Sequence, residues 1–281
     1  MNIFCIDGEF VPENQAVLSV NDIGLLRGYG IFDFMRTYNR RPFYLEEHVA
    51  RLANSARLTG LAMPWSQGQI VEMALKTLER NPELSDANIR LVITGGISAD
   101  SITPENKTSL LIMVTDLHRC PPEWYQDGVV IITTHDERYM PRAKSTNYLP
   151  GILALARARQ QGAIESIYID RYGRLLEGTT SNLFAFIGDK LVTPGTAILP
   201  GITRKVVLEL AEKEFEIEIR DIFRDEVRLM DEVFLSSSNK EVVPVVRMDE
   251  LIFSGGKPGQ RTRRLMQRFA DYTHQYGQKG K

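Results

Sequence analysis

The chain has 281 residues, 43% of them apolar, enough to bury a large core in one or two domains. Its 34 Lys and Arg against 36 Asp and Glu leave a net charge of −2, so charge gives no reason to expect nucleic acid or an anionic membrane as partner. Two widely separated cysteines argue against a disulfide framework or a zinc site; no apolar run reaches membrane-spanning length, and Asp7 comes too early for a signal peptide, so a cytoplasmic location is expected.

Residues 2–11 alternate around Asp7-Gly8 as a hairpin does, and residues 16–20 read as a short strand. Gly24, Gly28 and Gly30 then crowd a short stretch that also holds Arg27. They make no dinucleotide fingerprint, because residues 31–38 continue as a strand and not a helix. Helices are expected over residues 46–61, with Val49, Leu52, Ala53 and Ala56 on one face, and over residues 67–80. Strands at residues 88–94 and 109–115 flank the polar loop 95–104. Pro121-Pro122 suits a linker. This divides the chain into a small α/β domain at 1–117, a linker at 118–123 and a larger domain at 124–281.

The second half opens with a strand at 128–134, followed by Arg142-Ala143-Lys144-Ser145-Thr146-Asn147-Tyr148. A helix over 149–161 would place Leu153, Ala154 and Ala158 on one face and stop at Gly162. Strands are expected at 166–170, 183–187, 190–193, 216–220, 232–236 and 242–247, with a helix at 204–215. A basic helix over 260–276 precedes a frayed tail at 277–281. Many short strands with few helices point to a barrel-like core, so the fold class is α+β in two domains.

Chemistry concentrates in a few places. Lys144 could form a Schiff base if burial or a neighbouring cation lowered its pKa, and Arg142 would share its face if the segment were a strand. Taken alone, it reads as well as an ordinary surface lysine. Glu177 precedes Gly178-Thr179-Thr180-Ser181-Asn182, a run unusually rich in hydrogen-bonding groups for the start of an apolar strand. A carboxylate there could keep a pyridine nitrogen protonated. Pro200-Gly201-Ile202-Thr203 leads into a helix, whose free amides could bind an anion or form a plain cap. Ser236-Ser237-Ser238-Asn239 could make a second anion-binding turn. Arg51 lies on the apolar side of its helix, placed to reach a phosphate or to snorkel to water.

The order and company of these motifs resemble the class IV aminotransferases, the pyridoxal phosphate family of branched-chain and D-amino acid aminotransferases and aminodeoxychorismate lyases. The most specific parts are Leu176-Glu177-Gly178 with Ser181-Asn182-Leu183-Phe184, Leu199-Pro200-Gly201-Ile202-Thr203-Arg204, and His48 with Arg51-Leu52. The resemblance implies the two-domain fold type IV, the cofactor pyridoxal 5′-phosphate and a homodimer with pocket residues from the neighbouring subunit. It makes Lys144 the Schiff-base lysine and proton carrier, and Glu177 the partner of the pyridine nitrogen. Arg51, the Ile202 and Thr203 amides and Ser238 would hold the phosphate. Tyr148 would stand near the phenolic oxygen.

For the substrate's α-carboxylate, arginine offers paired N–H groups, and Arg27 and Arg90 are the candidates, Arg27 reaching a neighbouring subunit's site. Thr180 and Asn239 are the other substrate-binding candidates. The chain departs from the familiar D-amino acid enzymes, with Leu25 where they place a tyrosine, and from branched-chain enzymes, with Asn88 where an aromatic is common. Two arginines near Gly95-Gly96 resemble a less typical D-amino acid set. A D-amino acid transaminase is therefore preferred over a branched-chain L-amino acid aminotransferase, with an aminodeoxychorismate lyase third.

Overall fold

Strand β3 (Gly30–Tyr38) sets the first unit's architecture. Ile31, Asp33, Met35 and Thr37 alternate with less buried residues, so one face turns to a core and the other does not. The computed structural model describes residues 1–278, so 279–281 of the expected tail lie outside the described residues. The chain divides into two compact units, the first being Met1–His118 with Ala143–Asn147 and the C-terminal end from His274, the second Arg119–Arg142 with Tyr148–Thr273. Lys144 therefore belongs with the first unit, although both its flanks belong to the second.

In the first unit, β1 (Ile3–Ile6) and β2 (Glu9–Pro12) form the hairpin, and β4 (Arg41–Pro42), β5 (Ala87–Thr94) and β6 (Ser109–Asp116) join β3. The sheet runs β2-β1-β6-β5-β3-β4, antiparallel throughout. Helix α1 (Ile23–Arg27) precedes β3; α2 (Leu45–Thr59) and α3 (Gln67–Glu79) follow it. Val49, Leu52, Ile70 and Ala74 from these two helices pack with Ile31, Met35, Ile89, Leu91 and Ile93 of the sheet. Helix α1 was not expected: the Asp22 side chain caps it by accepting from the Gly24 amide at 2.6 Å, and Gly28 ends it at φ 67°. Residues 16–20 form no strand; Val17 and Val20 are exposed and the segment pairs with nothing in the sheet.

The second unit contains α4 (Glu123–Gln126), β7 (Val129–His135), α5 (Leu149–Gln160), β8 (Glu165–Ile169), β9 (Arg174–Gly178), β10 (Asn182–Ile187), β11 (Lys190–Thr193), α6 (Ile202–Ala211), β12 (Glu216–Ile219), β13 (Ile222–Phe223), β14 (Glu232–Ser237), β15 (Glu241–Met248) and β16 (Leu251–Ile252). Helix α7 (Gln260–Gln275) closes the chain. A ten-stranded sheet runs β12-β11-β10-β14-β15-β7-β8-β9-β13, with β16 beside β15, and curls into a half-barrel. Leu183, Ala185, Val233, Leu235, Val243 and Ile167 fill it. Strand β9 was not anticipated, and its last residues are Glu177 and Gly178. On α5, Ala154 and Ala158 are buried but Leu153 is 51% exposed, so the apolar face is narrower than its periodicity implied. Among the described residues no helix is long and apolar enough to cross a membrane.

Candidate active site

In the first unit, Lys144 is seated by main-chain and hydroxyl bonds. The segment around it is not a strand, which removes the shared face expected with Arg142; Ser145 makes a single bridge to Ile31. The Phe32 amide donates to the Lys144 carbonyl at 2.9 Å, and the Thr146 amide donates to the Gly30 carbonyl at 2.9 Å. The Thr146 hydroxyl donates to the Gly28 carbonyl at 2.9 Å, tying the Lys144 segment to the residue after Arg27. On the α2 side, the Lys144 amide donates to Ser55 Oγ at 3.0 Å, and Ser55 Oγ donates to the Arg51 carbonyl at 2.9 Å. Lys144 and Arg51 are thus joined through one serine.

Arg51 is aimed by a buried carboxylate. Its Nη2 and Nε bond Asp33 Oδ1 and Oδ2 at 2.8 and 2.9 Å, a paired geometry, and His48 Nδ1 lies 2.6 Å from Asp33 Oδ1. Burial opposes ionisation of Asp33, but the Arg51 and His48 groups beside it outweigh burial and hold its carboxyl well below the usual carboxylate range. Burial pushes His48 down, against the pull of Asp33, favouring the neutral ring.

The outer face of β3 carries the first unit's remaining candidate. Phe34 pairs directly with Arg90 across the sheet. The Arg90 guanidinium carbon stands 5.5 Å from the Phe32 ring centroid, and Lys144 Nζ stands 4.7 Å from the same centroid. Arg90 and Arg27 are both exposed; Arg27 Nη1 donates to its neighbour's carbonyl, Leu26, at 3.1 Å.

In the second unit, Glu177 is buried and held on both oxygens. Oε2 accepts from the Leu199 amide at 3.1 Å and from Asn182 Nδ2 at 3.2 Å, while Oε1 faces Arg138 Nε at 3.1 Å. Arg138 Nη2 and the Tyr148 hydroxyl both donate to the Thr179 carbonyl, at 2.6 and 2.9 Å. Although burial works against its charge, Glu177 and the neighbouring tyrosines push the Arg138 pKa up, so it is a fixed cation.

The same Asn182 Nδ2 donates to the Leu199 carbonyl at 3.0 Å, which fixes the approach to α6. A Cβ on Gly201 would lie 2.0 Å from Asn182 Oδ1, so glycine is required there by space. Ile202 and Thr203 open α6 without a side-chain cap. Their amides point out of the helix end as an anion seat would require. Ser238 lies half-buried on the turn after β14. Thr180 donates its hydroxyl and its amide to Glu165, at 2.7 and 3.2 Å. Asn239 Oδ1 accepts from Ser237 Oγ at 2.9 Å.

The candidates thus form two clusters: Lys144, Arg51, Arg90 and Arg27 in the first unit, and Glu177, Tyr148, Ile202, Thr203, Ser238, Thr180 and Asn239 in the second. The sequence reading did not reach Asp33, Ser55, Arg138 or Glu165. Asp33 alone left a signal, a charge among the inward residues of an alternating strand. Arg138 lies in an irregular stretch whose periodicity says nothing.

The family model described as amino-transferase class IV matches residues 30–248. A Methanocaldococcus jannaschii protein provisionally named a branched-chain-amino-acid aminotransferase is 34% identical over 282 residues, 97% of this chain and 96% of that one. A Staphylococcus aureus protein (strain MW2) named D-alanine aminotransferase is 32% identical over 275 residues, 95% of this chain and 96% of that one. Among solved structures, the Escherichia coli branched-chain amino acid aminotransferase matches with a TM-score of 0.90 at 28% identity, over 96% of this chain and 94% of that chain. Another branched-chain amino acid aminotransferase, from T.th. and solved with pyridoxamine 5′-phosphate, matches with a TM-score of 0.90 at 26% identity, over 97% of this chain and 94% of that chain.

Proposed function

The chain belongs to the class IV aminotransferase family, and we propose that it is a pyridoxal 5′-phosphate-dependent transaminase with a preference for D-amino acids over their L counterparts. Its α+β architecture resembles that of the fold type IV aminotransferases, whose family is pyridoxal phosphate-dependent. The side chains present fit that cofactor. An amine, a fixed carboxylate, an arginine held by a buried aspartate and an uncapped helix end suit an aldehyde, a pyridine nitrogen and a phosphate. When bound, the cofactor supplies an electron sink for the carbanion left when the α proton is removed.

In this reading, Lys144 takes the α proton and returns it. Glu177 holds a proton at the ring nitrogen. Arg51, the Ile202 and Thr203 amides and Ser238 bind the phosphate, and Tyr148 stands near the phenolic oxygen. The observation that supports Arg90 as the partner of the substrate's carboxylate is the Phe32 ring, beside which both Lys144 Nζ and the Arg90 guanidinium lie. A carboxylate paired with Arg90 would share the Phe32 ring with Lys144. The donors of Thr180 are committed to Glu165, which supports placing the carboxylate on the arginine side. The 2-oxo acid leaves before its counterpart enters, so the kinetics are ping-pong. A homodimer is part of this reading, with Arg27 serving the neighbouring subunit. Exposed Val17, Val20, Leu25 and Ile97 in the first unit are apolar surface that a second copy would cover.

The relative named as a branched-chain enzyme favours the second reading, a branched-chain L-amino acid aminotransferase. Mixing the pyridoxal form with single amino acids separates the two. D-alanine or D-glutamate should bleach the visible absorbance band, and a 2-oxo acid should restore it. Bleaching by L-leucine alone would overturn the D preference. Absence of any restoration would favour the lyase, and a protein that takes up no pyridoxal phosphate would refute all three.

A further inference from the structure

Behind Glu177, on the second unit, lies a buried ion pair to which the reaction as described gives no part. Glu165 opens β8 with no solvent exposure, and Lys240 is nearly as buried. Glu165 Oε1 accepts from the Thr179 amide at 3.0 Å, the Ser166 amide at 3.1 Å and the Thr179 hydroxyl. Its Oε2 accepts from the Thr180 hydroxyl at 2.7 Å, the Ser181 hydroxyl at 3.0 Å, the Thr180 amide at 3.2 Å and Lys240 Nζ at 3.2 Å. Lys240 also contacts the Thr180 hydroxyl. Gly178 completes the seat, since a Cβ there would lie 2.9 Å from the Glu165 side chain.

The turn from Thr179 to Ser181 therefore gives its donors to Glu165. The Thr179 carbonyl remains for other partners, and it accepts from Arg138 and from the Tyr148 hydroxyl. Arg138 in turn faces Glu177. Lys240 ends the turn that carries Ser238 and Asn239; its amide donates to Ser237 Oγ at 3.3 Å and its carbonyl accepts from the Tyr125 hydroxyl at 3.1 Å. One ammonium thus ties two turns that bear candidate ligands. A buried ion pair is seldom more stabilising than a well-packed apolar replacement, so stability alone is a poor reason for it. What it supplies here is a single orientation for the turn.

We propose that Glu165 and Lys240 are positioning residues for transamination: they fix the Thr179 carbonyl, and through it the aim of Arg138 at Glu177 and of the Tyr148 hydroxyl. The inference rests on the function proposed above, since it takes Glu177 and Tyr148 to face the cofactor. Glu165→Gln keeps the volume but sets an amide group against donors, which loosens the turn.

The test uses the holoenzyme and follows the pH titration of its visible band together with kcat and KM for D-alanine. In Glu165→Gln the midpoint should move by about one unit, and kcat should fall about tenfold with KM changed less than about twofold. In a Tyr148→Phe background the same substitution should have a smaller effect on both, because the two changes act through one carbonyl. Should Glu165→Gln fold poorly, the charge-neutral double variant Glu165→Gln/Lys240→Met restores packing without a lone buried charge and should show the same shift. A folded single or double variant that titrates and turns over like wild type overturns the inference. Failure of the transaminase reading would look different, because the wild-type protein itself would then acquire no band.

Discussion

Asp33 decides where Arg51 points. It stands on the inward face of β3 among Ile31 and Met35, and its carboxylate is shared by Arg51 and His48. Taking one partner out of a buried charge pair leaves the other charge in a poor environment and costs about 3–5 kcal/mol. Asp33→Asn should therefore lower unfolding stability at neutral pH by about that amount and weaken cofactor binding, read by urea denaturation and by titrating apoprotein with pyridoxal phosphate. The pH dependence has a definite sign. The folded carboxyl sits below its unfolded value, so the stabilisation is complete above the unfolded pKa of about 3.9 and is lost as pH falls through the folded one. The gap between wild type and variant should be constant near neutrality and narrow below about pH 4. Glu177 was legible as a candidate because its partner Asn182 lies five residues on in the same polar run, and Lys144 was legible through its place in the family pattern, not through its own neighbours. Arg138 was not, because the carbonyl and carboxylate it joins lie far along the chain, at Thr179 and Glu177, and no local pattern announces such a contact.

At the scale of elements, strong periodicity translated into structure and weak local signals did not. The helices read at 46–61 and 67–80 became α2 and α3 because each buries one stripe against the sheet, and α3 carries a full capping box at Ser66 and Gln69. Residues 16–20 are as apolar as many short strands, but a strand needs a neighbour, and no neighbour is available there. Helix α6 starts at Ile202, two residues before the expected start, and that shift puts the Ile202 and Thr203 amides at the helix end. Gly201 makes this end fit. In Gly201→Ala the methyl would displace Asn182, which holds both Leu199 and Glu177. Strain of this kind costs about 1–3 kcal/mol, and cofactor affinity should drop about tenfold or more. Gly68→Ala is the matching control: it lies in α3 with open space around it, so stability should rise by up to about 1 kcal/mol with cofactor affinity unchanged. Equal cofactor affinity in the two variants would remove Gly201 from the phosphate seat.

For the molecule as a whole, the informative fact is that Ala143–Asn147 returns to the first unit while the residues on either side belong to the second. A boundary drawn from Pro121-Pro122 could not show this, because the segment is held by main-chain bonds to β3 and by Ser55, which leave no trace in composition. Lys144 is thereby set beside the sheet that carries Arg90, and Thr146 ties it to Gly28, next to Arg27. Whether Arg27 serves its own Lys144 or that of a second copy is a question about symmetry. In a two-fold dimer each site would take Lys144 from one chain and Arg27 from the other if the arginine acts across the interface. Lys144→Ala should be inactive and lack the visible band, and Arg27→Ala should bind cofactor normally but use carboxylate substrates poorly. Co-refolding equal amounts of the two should then recover activity. Half the dimers would be mixed, each with one doubly lesioned site and one intact site, so about a quarter of wild-type turnover should return. If Arg27 acts within its own chain, every site in the mixture keeps one lesion, and activity stays at the level of the unmixed variants.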